Sequence, residues 1–284
     1  MKVIVQHSTV YRYPDAVQLE PHTFRLRPRM TTTQRLLTFQ MQILPAPAGA
    51  TECLDQDGNL SLRAWFTSPT QRLSVRSHFT VELARENPFD FLIRDESLNL
   101  SLWYPEPLGL ALAPYRTNGL VSATVRQFAE TIASNSKWNT LAFLTNLCQQ
   151  IFLAFRQVTR AEGQPWTSGE TLDRMEGSCR DLAVLFCDCC RAVGIAARFV
   201  SGYECASAGR ADSYMHAWAE VYLPSAGWRG YDPSRGIVVA DTHVAVAAAL
   251  DPTLASPVTG AYLGGWQSQM EASLDLQVQP GPTA

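Results

Sequence analysis

The chain is built around one segment, Gly177-Ser178-Cys179-Arg180-Asp181-Leu182-Ala183-Val184-Leu185-Phe186. Apolar residues recur at helical spacing after the cysteine, and Gly194 follows where a left-handed C-terminal cap belongs, so the pattern predicts a buried helix. Ser178 and Asp181 have the spacing of a capping box, which makes Cys179 the first helical residue. Because a helix N-terminus stabilises an anion, this position favours a nucleophilic thiolate. A small buried structural cysteine is the alternative that the helix pattern alone leaves open.

Composition limits the classes of function. The 284 residues suggest two domains, and a net charge of −3 gives no reason to expect a nucleic-acid or membrane partner. The first residues carry one positive charge and too few apolar residues for a secretory signal, and no stretch approaches the roughly 18 apolar residues of a spanning helix. Seven cysteines, an odd number, suit free thiols in a reducing compartment. We therefore expect a cytoplasmic protein.

The first third of the chain has the alternation of β-strands. From Leu73 to Leu83 nearly every second residue is apolar, which predicts a half-buried strand. Asp57-Gly58-Asn59 has the composition of a hairpin turn. Several such segments at short spacing predict an antiparallel β-sandwich. The weaker strand candidates are residues 3–5, 9–13, 23–26, 36–44 and 60–66.

The remainder reads as mixed helix and strand. Apolar residues at helical spacing predict helices over 121–133 and 138–155, and Thr167 with Glu170 forms another capping box before the cysteine helix. Three strands follow that helix, over residues 196–203, 216–223 and 228–231. The predicted class is α+β, with a β-rich domain over 1–110 and a catalytic domain over 111–284.

Two polar residues stand at the ends of neighbouring predicted strands. His216 opens one strand, and Asp232 closes the next after a short turn. Antiparallel strands joined in this way place the start of one beside the end of the other, so we expect these side chains to be neighbours. A thiol nucleophile needs a base, and the base needs a third group that orients it. Cys179, His216 and Asp232 supply these three roles, although a structural histidine and an Asp-Pro turn would explain the latter two singly.

Five stretches in this order resemble the transglutaminase-like superfamily, in particular bacterial members with an added N-terminal domain. They are Gly177-Ser178-Cys179-Arg180-Asp181-Leu182-Ala183, Ala197-Arg198-Phe199-Val200-Ser201-Gly202-Tyr203, His216-Ala217-Trp218-Ala219-Glu220-Val221-Tyr222, Gly227-Trp228 and Tyr231-Asp232-Pro233. Residues 7–13 and 21–29 look like the N-terminal domain of that family. The resemblance implies a papain-like catalytic fold, with Cys179 as nucleophile, His216 as base and Asp232 as orienting acid.

The implied chemistry is acyl transfer on an amide or peptide bond through a thioester. We expect a cysteine peptidase or amidase that acts on a peptide or protein without a cofactor. A protein-crosslinking transglutaminase and a catalytically silent peptide-binding scaffold are the alternatives, because a fold does not decide which nucleophile resolves a thioester.

Further candidate residues surround the predicted triad. The backbone N–H of Cys179, with Gln164 or Trp166 from the preceding loop, could stabilise an oxyanion, and Trp218 is expected to wall the cleft. Cys187 and Cys190 have metal-ligand spacing, but no second pair accompanies them, so no metal site is predicted. No acidic cluster indicates a calcium site, and the sequence does not reveal the oligomeric state.

Overall fold

A computed structural model describes residues 1–116, 121–160, 163–205, 215–265 and 267–279. In chain order the strands are β1 Lys2–Leu19, β2 His22–Phe24, β3 Gln34–Leu44, β4 Gly49–Leu54, β5 Leu60–Trp65, β6 Thr70–Leu83, β7 Arg156–Gln157, β8 Glu176–Gly177, β9 Ala197–Glu204, β10 His216–Leu223, β11 Gly227–Asp232, β12 Ile237–Val238, β13 His243–Ala249, β14 Val258–Thr259, β15 Tyr262–Leu263 and β16 Gln269–Gln279. The helices are α1 Leu108–Ala111, α2 Ala113–Arg116, α3 Ala123–Asn135, α4 Thr140–Ala154, α5 Ser168–Arg174 and α6 Cys179–Ala192. Single 3₁₀ turns cover Asp95–Ser97 and Pro252–Ala255.

The N-terminal strands form two antiparallel sheets. In the first, the order is β15–β1–β6–β3, and in the second it is β14–β2–β5–β4. The alternation predicted for Leu73 to Leu83 belongs to β6, and the predicted turn at Asp57 to Asn59 joins β4 to β5, with Gly58 at a φ of 76°. Apolar side chains from both sheets meet in one core, which confirms the predicted sandwich: Tyr13, Val17, Leu19, Phe24, Leu26, Ile43, Ala64, Phe66, Leu73 and Val75.

The second half of the chain places helices against an antiparallel sheet of order β12–β11–β10–β9–β13. The predicted cysteine helix is α6, which packs on β9 and β10 and ends before Gly194, whose φ is 85°. Leu182, Leu185 and Phe186 lie on its buried face. Burial of side chains of this size contributes roughly 1.5–3 kcal/mol each, so this face holds the N-terminus of α6 against the sheet. The predicted α+β class is confirmed.

The two halves are packed directly on each other. Val3, Val5 and Phe79 of the first N-terminal sheet share a buried cluster with Tyr203 and Val244 of the central sheet. In addition, β16 returns from the end of the described chain and pairs with β1 over residues 2–12. A domain division at residue 110 stays a prediction, but this strand shows that the last described residues complete the N-terminal sandwich. No helix in the described ranges is long and apolar enough to cross a lipid bilayer.

Candidate active site

Cys179 stands at the first position of α6, as the capping pattern predicts. Its side chain is partly exposed and lines a cleft of about 870 Å³. The first backbone N–H groups of a helix have no partner within the helix, so this end carries a partial positive charge directed at the cleft. The fold therefore places a thiol where a developing negative charge is stabilised.

Asp181 anchors the loop that leads into this helix. Its fully buried carboxylate accepts hydrogen bonds from Ser178 N–H and Oγ–H at 2.8 and 2.7 Å, and from Trp166 N–H at 2.7 Å. The Arg160 guanidinium donates to both of its oxygens, at 2.6 and 2.7 Å. Burial disfavours the charged carboxylate, but these hydrogen bonds outweigh it and lower the pKa of Asp181. Asp181 thus turns towards the backbone and fixes the residue before Cys179.

The strands bring His216 and Asp232 together, as the sequence predicts. His216 begins β10 and Asp232 ends β11, and the two strands pair antiparallel from Ala219 opposite Tyr231 to Leu223 opposite Gly227. His216 Nε2 lies 2.7 Å from Asp232 Oδ2, and both residues are buried. Because of the antiparallel register, these two residues, which are 16 positions apart in the chain, form a direct hydrogen bond.

Cys179 lies in the same cleft as this pair. Its thiol and the His216 imidazole both line the cleft, and the thiol is close enough to affect the protonation of the imidazole. Burial alone lowers the pKa of His216, but hydrogen bonds and charge interactions with Asp232 and Cys179 raise it to about 10. The imidazole therefore retains its proton at neutral pH and can form an ion pair with a thiolate.

Asp232 is enclosed by donors. Its Oδ1 accepts Ser234 N–H and Oγ–H at 2.9 and 2.7 Å, and its Oδ2 accepts both His216 and a second histidine, His243, whose Nε2 lies 3.0 Å away. Burial acts to raise its pKa, but the hydrogen bonds from the two histidines hold the pKa well below the usual range of a carboxyl group. Asp232 stays ionised, as an orienting acid must.

Sequence reasoning did not identify His243. It opens β13, its side chain is fully buried, and its ring lies edge-on to Trp218 at 4.9 Å between centroids. Its Nδ1 contacts the Thr242 hydroxyl at 2.8 Å. A single histidine at the start of an alanine-rich segment carries no motif, and only the sheet order brings β13 to the far side of β9. The signal available in the sequence was a polar residue where a buried strand begins.

His216, Asp232 and His243 also form a set of possible metal ligands, since one donor atom from each lies within 4.8 Å of the others. In the structure, however, both histidines direct Nε2 at the same carboxylate oxygen. A metal held by these atoms would have to displace both hydrogen bonds and would remove the orienting contact to His216. The observed arrangement fits proton transfer better than metal coordination.

The other residues predicted from the sequence differ in whether they line the cleft that contains Cys179. Gln164 is exposed and lines the cleft with Cys179, so the structure brings these two together. Trp166 does not itself line the cleft, and its ring is packed by the guanidinium groups of Arg160 and Arg174, at 4.2 and 4.6 Å from its centroid. Trp218 is buried behind His216 and His243, where it supports both imidazoles and does not reach the cleft surface.

Both halves of the chain build the cleft. The C-terminal half contributes Cys179, His216 and the loop around Gln164, and the N-terminal sandwich contributes His7, Thr9 and Tyr11 of β1. Ser268, Met270 and Ala272, from the segment that adds β16 to the sandwich, lie on the same wall. His7 Nδ1 is hydrogen-bonded to the Tyr203 hydroxyl at 2.8 Å, which ties the sandwich to the central sheet beside the cleft. The N-terminal sandwich is therefore part of the site.

Comparisons with known proteins match two regions of the chain to known families. The sequence profile of the bacterial transglutaminase-like N-terminal region matches residues 3–82, and that of the transglutaminase-like superfamily matches residues 126–233. The uncharacterized protein Rv2569c of Mycobacterium tuberculosis is 29% identical over 290 residues, which is 96% of this chain and 91% of the relative. The uncharacterized protein ML0607 of Mycobacterium leprae is 24% identical over 284 residues, covering 96% and 97%.

A solved structure with the same fold covers almost the whole chain. It is described as a candidate cysteine protease from Cytophaga hutchinsonii, is 17% identical, and superposes with a TM-score of 0.72 over 99% of this chain and 92% of its own. At this identity the likeness shows the fold alone. The family assignment rests on the two matched regions: residues 3–82, in the sandwich, belong to the bacterial transglutaminase-like N-terminal region, and residues 126–233, from α3 to the end of β11, belong to the transglutaminase-like superfamily.

Proposed function

We propose that the chain is a cysteine-dependent acyl-transfer enzyme that acts on amide bonds of peptides or proteins, with water as the usual acceptor. Membership of the family and the likeness to a candidate cysteine protease support a cysteine-dependent enzyme. The observation that carries the proposal is that a hydrogen-bonded Asp232–His216 pair and a thiol at a helix N-terminus meet at one open cleft. Cys179 is the nucleophile, His216 the acid and base, and Asp232 the orienting group.

The reaction follows from these positions. The Cys179 thiolate attacks the amide carbonyl carbon, forming a carbon–sulfur bond and moving the carbonyl electron pair onto oxygen. His216 gives its proton to the amide nitrogen, the carbon–nitrogen bond breaks, and an amine leaves a thioester behind. Water then attacks the thioester carbonyl while His216 takes up its proton. The carbon–sulfur bond breaks, a carboxylic acid leaves, and the thiolate–imidazolium pair is restored.

The oxyanion formed in both steps needs hydrogen-bond donors. The backbone N–H of Cys179 is a donor at the positive end of α6, and Gln164, like Gln157, is an exposed amide among the residues that line the cleft. Removing one such donor from an enzyme costs about 10²–10³ in rate. Gln164→Ala is therefore expected to lower kcat with little change in KM, and Gln164→Glu to do the same because a carboxylate repels the oxyanion.

Alkylation tests the nucleophile directly. Cys53 is an exposed free thiol far from the cleft and supplies a matched internal control for the partly exposed Cys179. If His216 holds Cys179 as a thiolate, iodoacetamide at pH 6 labels Cys179 faster than Cys53, although Cys53 is more accessible. His216→Asn should remove that advantage, whereas Cys53→Ala should leave the labelling of Cys179 unchanged. Equal rates at the two thiols in the unaltered protein would contradict the proposal and would favour a catalytically silent scaffold.

Product analysis tests the acceptor. Peptide pools incubated with the protein and a primary amine are examined by mass spectrometry for cleaved peptides and for amine adducts. Cleavage that exceeds amine incorporation, and that disappears in Cys179→Ala, is expected. Because general acid–base catalysis contributes about 10²–10⁴ in rate, His216→Ala should lower kcat/KM by a factor in that range. Amine adducts as the dominant product would identify a transglutaminase, and we would then reject hydrolysis as the main activity.

The compartment follows as a further part of the proposal. All seven cysteines are free, and the nucleophile is among them. A reducing cytoplasm keeps such thiols active, whereas an oxidising compartment would expose Cys179 and Cys53 to disulfide exchange. Fractionation of cells that express the tagged chain checks this location.

A further inference from the structure

The charge of the cleft is opposite to that of the chain. Among the described residues that line it, three are arginines, Arg160, Arg180 and Arg235, and one is an acid, Glu204. The chain as a whole carries a net charge of −3. A concave surface with one sign of charge concentrates ligands of the other sign. This distribution suggests that the cleft receives a negatively charged group.

Two of the three arginines are committed to the loop beside Cys179. Arg160 pairs with the buried Asp181 through both carboxylate oxygens. Arg180 donates to the backbone carbonyl oxygens of Gly163 and Arg160, at 3.0 and 2.9 Å. Both side chains therefore hold the loop in place. The charge of Arg160 is balanced by Asp181, so of these two only Arg180 adds positive charge to this side of the cleft.

Arg235 is arranged differently. It follows Asp232 by three residues in the turn after β11, where its N–H donates to the Asp232 carbonyl at 3.2 Å. Its Nε and Nη2 bind the two carboxylate oxygens of Glu204 at 2.8 and 2.7 Å. The Glu204 side chain is 7% exposed, whereas that of Arg235 is 37% exposed. The buried acid thus fixes the guanidinium plane, and the cation is the part of the pair that the cleft presents.

The position of this cation relates it to the scissile bond. Arg235 lies in the turn that begins at Asp232, and it lines the same cleft as Cys179 and His216. A planar guanidinium held by one carboxylate can still donate from its remaining edge to a second carboxylate. An anion bound there would lie beside the amide that the Cys179 thiolate attacks.

Building on the proposed function, we infer that Arg235, oriented by Glu204, is a specificity-determining residue that selects substrates with a carboxylate near the scissile amide. The carboxylate is either an Asp or Glu side chain or the free C-terminus of the substrate, since both present the same planar pair of oxygens. Glu204 orients the guanidinium but also offsets its positive charge, so it weakens the attraction of Arg235 for a substrate carboxylate.

Binding measurements separate this inference from catalysis. The protein carries Cys179→Ala, so no bond is broken, and the probes are fluorescein-labelled hexapeptide pools with a C-terminal amide. Each pool has Glu fixed at one internal position and is paired with a pool that has Gln there. A third set lacks the fixed Glu but has a free C-terminal carboxylate. Fluorescence anisotropy gives the ratio of Kd values for each pair.

Substitutions of Arg235 and of Glu204 should change the preference for the charged probe in opposite directions. An ion pair that remains partly exposed is worth up to about 1 kcal/mol, so the charged member of one pair should bind about fivefold more tightly than its neutral partner. Arg235→Gln should abolish this preference, and Glu204→Gln should widen it because the charge of the guanidinium is then no longer offset by a neighbouring carboxylate. Arg76→Gln, an exposed arginine on β6 outside the cleft, is the matched control and should leave the preference unchanged.

The outcomes distinguish between the two kinds of carboxylate and between this inference and the proposed function. A preference for internal Glu identifies a side-chain carboxylate, and a preference for the free C-terminus identifies a terminal one. Equal affinity for charged and neutral pools, or a preference that survives Arg235→Gln, would overturn the inference while leaving Cys179-dependent turnover intact. Conversely, the wild type could show no Cys179-dependent turnover while the binding preference still depends on Arg235. The proposed function would then be wrong, and the binding site at Arg235 would stand.

Discussion

Removal of the second histidine on Asp232 is the sharpest test of the site geometry. His243→Phe keeps a ring of similar size against Trp218, at the present centroid separation of 4.9 Å, but deletes the N–H that Asp232 Oδ2 accepts at 3.0 Å. A hydrogen bond to a buried charged group contributes about 1.5–3 kcal/mol, and Asp232 is completely buried. The variant should therefore lose about 1.5–3 kcal/mol of unfolding free energy at pH 7.

The pH dependence of this loss has a definite sign. The pKa of Asp232 in the folded chain is well below its usual range, so the stability that it contributes is present above the unfolded pKa, about 4, and is lost as the pH falls through the folded value. The difference between the wild type and His243→Phe should be full at pH 7 and should shrink only in strong acid. Because Asp232 then has fewer donors to share its charge, the pKa of His216 should also rise further above its present value.

Urea unfolding at several pH values, with NMR of the His216 imidazole, measures both effects. His243→Gln is the matched variant, since its amide can place an N–H donor near the position of Nε2. It should recover much of the stability that His243→Phe loses and should return the pKa of His216 towards the wild-type value. If His243→Phe were as stable as the wild type at pH 7, or if the Gln and Phe variants behaved alike, the second hydrogen bond to Asp232 would have no energetic role.

Three other predictions concern the same framework. The pKa of His216 is about 10 in the folded chain and about 6.5 in the unfolded chain. The stabilisation from its ion pair is therefore complete below about pH 6.5 and declines as the pH rises through about 10. Over this range the free energy of unfolding should fall in the wild type and change less in His216→Gln. Gly202→Ala places a methyl group against the Val244 carbonyl oxygen of the neighbouring strand. It should lower the free energy of unfolding, measured in urea, by about 1–3 kcal/mol. A thermal midpoint equal to that of the wild type would contradict this packing argument. Asp181→Asn removes the carboxylate that pairs with the Arg160 guanidinium. The variant should lose about 3 kcal/mol of unfolding free energy, and alkylation of its Cys179 should be slower. Normal alkylation in a destabilised chain would show that the loop does not position the thiol.

Local patterns were sufficient for the elements of the site. The spacing of Ser178 and Asp181 located the start of α6 at Cys179, because capping depends on residues three apart in the chain. Antiparallel connection through a short turn predicted that His216 and Asp232 meet, because the register of adjacent strands follows from the turn between them. In each case the partners are close in sequence or are joined by one connection.

Features that depend on distant segments were not predicted. The strand that carries His243 has the sequence His-Val-Ala-Val-Ala-Ala-Ala, which is buried throughout and lacks the alternation of a half-exposed strand. The strand β16 pairs with β1 across almost the whole length of the chain, and no local pattern encodes that partnership. The sequence therefore predicted the N-terminal sandwich but did not reveal that part of it lines the cleft.

The sequence by itself determined which residues can carry the chemistry, since a cysteine at a helix N-terminus and a histidine and an aspartate at adjoining strand ends follow from local spacing. Only the tertiary structure decided what surrounds them: the second histidine on Asp232, the Arg235–Glu204 pair, and the wall that β1 contributes to the cleft. The physical reason is that capping and strand register act over a few residues, whereas packing of sheets brings together side chains whose separation along the chain has no bearing on their distance in space.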